Sequence, residues 1–216
     1  MTPPHESHQT DDVLYQWGTE ELTARAQRKF VELFRDAPGK VLEVGCGKGI
    51  VLGIFKDFGV PAYGIDLSQT TVEYCLKKGL EAVYGDILSH IRAVPDNSLG
   101  GIFCAHVIEH MQPVEVIEFF HQSSRVLKEA GILLIITPNA QDLRTTERFW
   151  LDITHVRPYP RKLLHFLLSK EGFSEITSTN DREPARNILE RAAKTFLRLW
   201  FMGYLFTGDL VVTAKR

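Results

Sequence analysis

Short apolar runs alternate with longer amphipathic stretches along the chain from Lys40 onward. The runs are rich in β-branched residues, whereas the stretches between them repeat apolar residues at helical spacing and end at glycines. Predicted strands occupy 40–45, 62–68, 80–86, 101–106, 132–139, 174–180 and 209–216. Predicted helices occupy 18–36, 50–59, 69–79, 113–131 and 161–173.

This alternation predicts an α/β fold, a Rossmann-like doubly wound sheet that is mostly parallel and has helices on both faces. Such sheets bind ligands beyond the carboxyl ends of their strands. We expect a flexible tail over 1–17 and a single domain over 18–216. Two segments depart from the alternation, a long lid-like loop over 139–162 and a helical insertion over 183–206.

Composition narrows the class of protein. The 216 residues are 44% hydrophobic and 24% charged, and the net charge of −2 gives no reason to expect a nucleic-acid partner. The cysteines, Cys46, Cys75 and Cys104, are scattered, which favours reduced thiols. The start "MTPPHESHQT" lacks a signal-peptide pattern, and no apolar run approaches the roughly 18 residues of a membrane span. We expect a cytoplasmic protein.

The stretch "LEVGCGKG" (42–49) opens a strand into a glycine loop. Gly45, Gly47 and Gly49 let a ligand approach the bare backbone. Ile50 stands where a dinucleotide fingerprint has its third glycine, which disfavours a dehydrogenase. Glu43 just before the loop suits a cationic amine better than a pyrophosphate. The alternative is a purely structural turn.

Two further acids follow the next two predicted strands. Asp66 in "GIDLS" is placed to accept hydrogen bonds from both hydroxyls of a ribose, since a carboxylate has about four acceptor sites. Asp86 in "YGDIL" is placed to accept from an adenine amino group. A lone aspartate after a strand is more often a helix cap or a turn former, but three acids after three consecutive strands indicate a binding edge.

The motifs "VLEVGCGKG", "GIDLS", "YGDI", "CAHVIEHM" and "VLKEAGILLIITPN" resemble, in this order, those of class I S-adenosylmethionine-dependent methyltransferases over roughly 38–140. The resemblance implies S-adenosylmethionine as cofactor and a seven-stranded sheet whose last strand is antiparallel. It implies that the glycine loop holds the methionine part, that Asp66 holds the ribose and that Asp86 and Ile87 hold the adenine. The predicted cofactor-binding residues are Glu43, Gly45, Cys46, Gly47, Gly49, Asp66, Leu67, Asp86, Ile87, Ala105 and His106.

"AHVIEHM" (105–111) contains the pattern H-x-x-E-H, with His106, Glu109 and His110. An inverted zinc-peptidase motif has the same pattern on one helix. Pro113 disfavours a continuous helix through this stretch. The cluster is therefore expected at the end of the fourth strand, beside the methyl group of the cofactor.

The same cluster is a candidate metal site. Related methyltransferases of ubiquinone biosynthesis and small-RNA 2′-O-methylation have E-x-x-E-H here, with a later histidine. In this chain His106, Glu109, His110 and His155 are the corresponding candidates, and imidazoles with a carboxylate suit Zn²⁺, Fe²⁺, Co²⁺ or Ni²⁺ better than Mg²⁺. Pocket lining without a metal is the open alternative.

Methyl transfer to a hydroxyl needs alignment and an acceptor for one proton. The candidates for the base are His155 or His106, with His110 as a third, because imidazole titrates near neutral pH. Arg157 is a candidate anchor for an anionic or polyhydroxy acceptor. In the alternative, Arg157 and Tyr159 only hold the loop.

The acceptor is predicted from the loop 139–162. Its Phe149, Trp150 and Tyr159 are placed either to stack on a sugar or aromatic acceptor or to seal the core. "THVRPYP" (154–160) resembles a stretch of bacterial methyltransferases associated with polysaccharide and O-antigen assembly, which indicates a saccharide or lipid-linked glycan hydroxyl. The alternatives are a phenol of the quinone type and a non-catalytic cofactor-binding subunit.

The insertion 183–206 repeats apolar residues at helical spacing, with basic residues on the other side. Such a helix over 185–203 is suited to peripheral contact with an anionic membrane. Packing on its own domain or on a partner subunit is the alternative.

Overall fold

The computed structural model describes residues 20–181, 187–200 and 208–216. The strands are β1 Val41–Val44, β2 Ala62–Asp66, β3 Ala82–Tyr84, β4 Leu99–Ala105, β5 Leu127–Thr137, β6 Ser174–Asp181 and β7 Asp209–Lys215. The α-helices are α1 Glu20–Val31, α2 Ile50–Asp57, α3 Gln69–Lys77, α4 Ile87–Ala93, α5 Pro113–Val126, α6 Leu143–Leu151, α7 Arg161–Lys170 and α8 Ile188–Trp200.

All seven strands form one sheet in the order β3-β2-β1-β4-β5-β7-β6. The pairs among β1 to β5 are parallel, and β7 is antiparallel to both of its neighbours. This arrangement confirms the predicted fold class, including the antiparallel last strand.

Helices cover both faces of the sheet, because the central strands are apolar on both sides. On one face, Phe34, Phe55 and Phe103 pack with ring centroids 5.6–6.1 Å apart. On the other face, the core includes Phe120 of α5 and Leu164 of α7. The helices packed on the two faces of the sheet thus fix the positions of the strand ends.

The order of the strands reverses at β1, which pairs with β2 on one side and with β4 on the other. The loops that follow β1 and β4 therefore leave the sheet side by side at its carboxyl edge. A crevice at such a switch point is where doubly wound sheets bind ligands.

The helix predicted over 113–131 ends earlier, at Val126. Leu127 already pairs with Leu99 of β4, and Ala130 has a left-handed φ of 61°. The backbone N–H of Ala130 donates to the carbonyl of Arg216. Pairing with distant strands thus overrides the helical pattern of these residues.

The structure contains two helices that the sequence pattern did not predict. Helix α4 begins after Asp86, whose Oδ1 accepts from the backbone N–H of Ser89 at 2.8 Å, as an N-cap does. Helix α6 lies inside the segment 139–162, which the sequence predicted as a lid-like loop.

The predicted tail 1–17 and the parts 183–186 and 201–206 of the insertion lie outside the described residues. In the described part of the chain, no helix combines the length and apolar character needed to cross a membrane.

Candidate active site at the carboxyl edge of the sheet

The glycine loop after β1 has a left-handed backbone at all three glycines. The φ angles of Gly45, Gly47 and Gly49 are 68°, 48° and 72°, a conformation that is costly for residues with a Cβ. A Cβ on Gly45 would also lie 2.7 Å from Cγ2 of Val107, in the segment after β4. The loop therefore depends on glycine, and it contacts the second half of the site.

Asp66 connects the end of β2 to this loop. Its Oδ2 accepts from the backbone N–H of Gly47 at 2.8 Å, and its Oδ1 accepts from that of Ser68 at 2.9 Å. Each oxygen retains acceptor capacity, and the neighbouring Leu67 is exposed. A carboxylate beside an exposed apolar side chain fits the predicted ribose and adenine contacts.

Asp86 combines the predicted position with the capping role that the sequence left as the alternative. It is exposed at the end of β3, and one of its oxygens caps α4. Ile87, which follows it, is buried in the core. A contact of Asp86 or Ile87 with the adenine of the cofactor therefore stays a prediction.

Glu43 is buried in β1, and its Oε2 has no hydrogen-bond partner among the described residues. Burial raises the pKa of this carboxyl well above its usual value, against a hydrogen bond from the backbone of Leu52; the charge of Asp66 raises it further. An unpartnered buried acceptor is unfavourable unless a ligand supplies the donor. A cationic ammonium, as in S-adenosylmethionine, fits this position.

Cys46 contributes to the glycine loop through its backbone, and its side chain packs against β2. A Cβ on Gly64 would lie 2.4 Å from Cβ of Cys46, and burial raises the pKa of the Cys46 thiol. Cys75 supports the loop from α3, where its thiol donates to the carbonyl of Gly47 at 3.2 Å. Because the side chain of Cys46 is packed against β2, the contact predicted between Cys46 and the cofactor would have to be made by its backbone.

The histidine cluster does not lie on one helix. Strand β4 ends at the half-buried Ala105, His106 has a left-handed φ of 55°, and a separate 3₁₀ turn covers Ile108–His110. A zinc-peptidase motif needs its histidines on consecutive turns of one helix. The geometry excludes that alternative.

Glu109 joins three segments of the chain, although it is fully buried. Its Oε1 lies 3.2 Å from Nδ1 of His106, and its Oε2 accepts from the hydroxyl of Thr137 at 3.1 Å. Its backbone carbonyl accepts from the N–H of Val156 at 2.8 Å. The ends of β4 and β5 and the segment before α7 therefore meet at this residue.

His106 lies between two carboxylates, since its Nε2 is 3.4 Å from Oδ2 of Asp209 at the start of β7. Burial lowers the pKa of His106, but Asp209 and Glu109 outweigh burial and hold this pKa well above its usual value. Asp209 was missed from the sequence, because nothing in "DLVVTAKR" distinguishes it from an ordinary strand-entry residue. Only the antiparallel return of β7 brings it here.

His110 and His155 form a second imidazole group, with ring centroids 4.5 Å apart. Nδ1 of His155 donates to the carbonyl of Phe149 at 2.7 Å. Nδ1 of His110 lies 2.9 Å from the hydroxyl of Thr154, whose own proton goes to Asp152 at 2.6 Å. Both Nδ1 atoms are therefore donors, which leaves Nε2 of each ring to face a ligand; Nε2 of His155 also lies 3.7 Å from Oδ2 of Asp152.

The predicted metal-site residues separate into two groups. Ligand atoms of Glu109, His110 and His155 lie within 4.8 Å of one another, and burial, with the nearby His155, lowers the pKa of His110. Neutral imidazoles whose Nδ1–H is held by an oxygen are typical metal ligands. These three residues fit a divalent cation, whereas His106 is directed to Asp209 instead.

The segment after α6 holds the remaining candidates. The guanidinium of the exposed Arg157 lies 5.4 Å from the ring centroid of Tyr159. Tyr159 and Phe149 are buried, which matches the core-sealing alternative for both. Phe149 also stacks on His155, with centroids 4.4 Å apart. Arg157 stays a predicted anchor.

Trp150 is exposed and borders a pocket at the carboxyl end of β5. Its ring contacts Phe149 edge-on at 5.1 Å, and Phe149 in turn supports His155. The pocket is lined by Pro138, Asn139, Ala140, Thr145, Phe149, Trp150 and Pro158. An aromatic-walled pocket thus adjoins the imidazole pair.

Comparison with known proteins agrees with this geometry. A family model described as a methyltransferase domain matches residues 19–178. A probable S-adenosylmethionine-dependent methyltransferase of Mycolicibacterium smegmatis is 28% identical over 141 residues, 64% of this chain and 53% of that protein. A ubiquinone biosynthesis O-methyltransferase of Methylococcus capsulatus is 30% identical over 120 residues, 51% of this chain and 48% of that protein. The chain spans about half the length of these curated relatives.

Solved structures share the fold over most of the chain. A SAM-dependent methyltransferase from Archaeoglobus fulgidus has a TM-score of 0.81 at 23% identity, covering 92% of this chain and 95% of that one. Phosphoethanolamine N-methyltransferase 2 of Haemonchus contortus, in complex with S-adenosyl-L-methionine, has a TM-score of 0.65 at 19% identity, covering 88% and 52%. Likeness at this identity is a likeness of fold.

Proposed function

Because the chain belongs to the class I S-adenosylmethionine-dependent methyltransferases, we propose that it methylates a hydroxyl oxygen of a saccharide or lipid-linked glycan. The observation that carries the proposal is the imidazole pair. In both His110 and His155 an oxygen holds the proton on Nδ1, so Nε2 is the nitrogen that can accept a proton, and Oδ2 of Asp152 lies 3.7 Å from Nε2 of His155. A hydroxyl acceptor needs such an acceptor for its proton, whereas a thioether or a neutral amine does not.

The reaction transfers a methyl cation equivalent. The S–CH₃ bond of the sulfonium breaks with both electrons staying on sulfur, and the acceptor oxygen forms the new C–O bond. The hydroxyl proton moves to Nε2 of His155, which its bond to the carbonyl of Phe149 holds in the required tautomer. The protein contributes alignment and proton removal, since the sulfonium is already activated.

His106 is assigned a different role from the base predicted for it. Both of its ring nitrogens face carboxylates, of Glu109 and Asp209, so neither offers a free acceptor. His106 holds the carboxylate of Glu109 near His110 and His155. Its ring would lie beside the methyl group of the bound cofactor. Arg157 and the exposed Trp150 are the proposed contacts of the acceptor, since a saccharide offers both polar edges and an apolar face.

A divalent cation at these residues is the alternative to a histidine base, because an imidazole nitrogen that binds a metal ion cannot also accept the proton. Glu109, His110 and His155 would hold it, and the chemistry it would supply is a lowered pKa of the acceptor hydroxyl. One carboxylate and two imidazoles are the ligand set of a zinc or ferrous ion.

A second acceptor class follows from one of the relatives. The Methylococcus capsulatus protein is named a ubiquinone biosynthesis O-methyltransferase, so a phenolic hydroxyl is the alternative acceptor. The same imidazole pair would serve it, and only the contacts of Trp150 and Arg157 would differ.

The test is methyl transfer from labelled S-adenosylmethionine to glycan and phenolic acceptors by wild type and the His155→Gln and His110→Gln variants. General-base catalysis contributes about 10²- to 10⁴-fold, so we expect kcat to fall by that factor with S-adenosylhomocysteine affinity unchanged. The exposed His121 of α5, which pairs with Glu171 just after α7, supplies the control variant His121→Ala.

Three outcomes decide between the candidates. Unchanged turnover in both histidine variants overturns the proposed base. Cofactor binding without transfer to either acceptor class supports the non-catalytic subunit instead. Activity that is lost on chelation and returns with added Zn²⁺ or Fe²⁺ supports a cation at the three residues.

A further inference from the structure

We propose that the carboxyl edge of the sheet docks on an anionic membrane surface through α8 and the exposed end of α6. This deepens the proposed function, and it rests on that function only for the identity of the acceptor. A lipid-linked acceptor would then be presented to the site at the bilayer interface.

Helix α8 turns its apolar side away from the domain. The half-buried residues of the helix include Glu190, Lys194 and Leu197, which lie on its other side. The large apolar residues are 62–84% exposed: Ile188, Leu189, Phe196, Leu199 and Trp200. A helix that packs on its own core has the opposite arrangement, so the alternative of packing on its own domain is not what the described helix does.

A second exposed apolar group follows the pocket. Trp150, Leu151 and Ile153, at the end of α6 and just beyond it, are 62–88% exposed. Exposed large side chains that are scattered singly need no explanation, but grouped ones indicate an interaction surface.

The exposed apolar residues of α6 and of α8 belong to segments that leave the sheet at its carboxyl edge, where the candidate site lies. β5 ends at Thr137, which pairs with Leu210 near the start of β7. β6 ends at Asp181 opposite Asp209, so the segment containing α8 leaves and re-enters the sheet at this edge. Asp209 is also the residue that contacts His106.

Charge favours a lipid surface over a second copy of the chain. Lys194 of α8 pairs with Glu190 at 2.9 Å, so the net charge of +2 on the helix corresponds to Arg191 and Arg198. Two copies that met through this helix would bring like charges together. Anionic headgroups complement them, in a chain whose net charge is −2.

The aromatic content fits the same occupant. The rings of Phe196 and Trp200 lie 6.1 Å apart on α8, and Trp150 is exposed on α6. Tryptophan prefers the boundary between headgroups and acyl chains. An amphipathic helix with aromatic residues on one side and basic residues on the other lies in the plane of the interface.

Flotation of the full chain with vesicles tests the proposal. We expect binding to vesicles of equal parts phosphatidylglycerol and phosphatidylcholine, weaker binding to phosphatidylcholine alone, and release at high salt. The double variant Leu189→Gln/Phe196→Gln should reduce binding about tenfold, because it removes apolar area that would insert. Arg191→Glu should reduce it several-fold, by about one kcal/mol per cationic residue.

The matched control is Phe166→Gln, which removes an exposed apolar ring from α7. It should bind vesicles as wild type does. Equal binding of wild type and the double variant overturns the proposal. So does a concentration-dependent dimer that the double variant abolishes while vesicles are not bound.

The two proposals fail separately. Vesicle binding needs neither cofactor nor acceptor, so His155→Gln should retain it. Methylation of a water-soluble acceptor by a protein that ignores vesicles overturns the docking and leaves the proposed function standing.

Discussion

The predicted cofactor half and the proposed acceptor half of the candidate site are built in opposite ways. The cofactor half comes from consecutive strand ends, as in the bond between Gly47 and Asp66. The acceptor half joins segments that are far apart in the chain, as in the contacts of His106 with Asp209 and of His110 with His155. The first half depends on backbone conformation and the second on side chains brought together by the sheet.

The two halves should therefore respond differently to substitution. A change in the glycine loop should alter cofactor affinity, and a change in the acceptor half should alter turnover at constant affinity. A variant that lowered cofactor affinity and turnover equally would contradict this division of the site.

Gly45→Ala is expected to have the largest effect. A left-handed φ costs about 1–2 kcal/mol for alanine, and the added Cβ collides with Val107. The affinity for S-adenosylhomocysteine, measured by calorimetry, should fall about a hundredfold.

Gly53→Ala is the matched control, because a Cβ on Gly53 in α2 meets nothing within 4 Å. Alanine is favoured over glycine inside a helix, so this variant should keep its affinity and gain about 1 kcal/mol of stability. Equal losses in both variants would contradict the account of the loop.

Glu43→Gln should weaken cofactor binding about tenfold, by the loss of one charge-assisted hydrogen bond. It should also stabilise the cofactor-free protein at neutral pH. The folded-state pKa of Glu43 lies above its unfolded value, so ionisation favours the unfolded state as pH rises through the interval between them.

This prediction is checked by measuring the Tm of wild type and of the Glu43→Gln variant from acidic to neutral pH without cofactor. The advantage of Glu43→Gln should be absent where Glu43 is protonated in both states, and it should grow as pH rises. An advantage that is constant with pH would point to packing instead.

Asp209→Asn should have the smallest effect on activity, and it tests whether His106 belongs to the acceptor half of the site. It removes one of the two carboxylates that raise the pKa of His106, so this pKa should fall, as followed by NMR of the imidazole. We expect a several-fold lower kcat with cofactor affinity unchanged. A loss of cofactor affinity would place His106 in the cofactor half.

Local patterns predicted that the loop glycines, Asp66 and Asp86 lie at the ends of apolar strands, and the structure has them there; their contacts with the cofactor stay predictions. The same patterns extended α5 five residues too far and missed α4 and α6. Leu127 to Gly131 have a helical pattern, but pairing with β4 and with the end of the chain makes them part of β5. Short helices such as α4 carry too few apolar positions to show a period.

The doubly wound sheet could be predicted from the sequence because periodicity is a local property, and the resemblance of the motifs to a known family implied the antiparallel last strand. The contact of His106 with Asp209, the shared site of His110 and His155, and the outward apolar side of α8 became visible in the folded chain alone. Those contacts depend on which strand ends meet at one edge, and strand order is a property of the whole sheet.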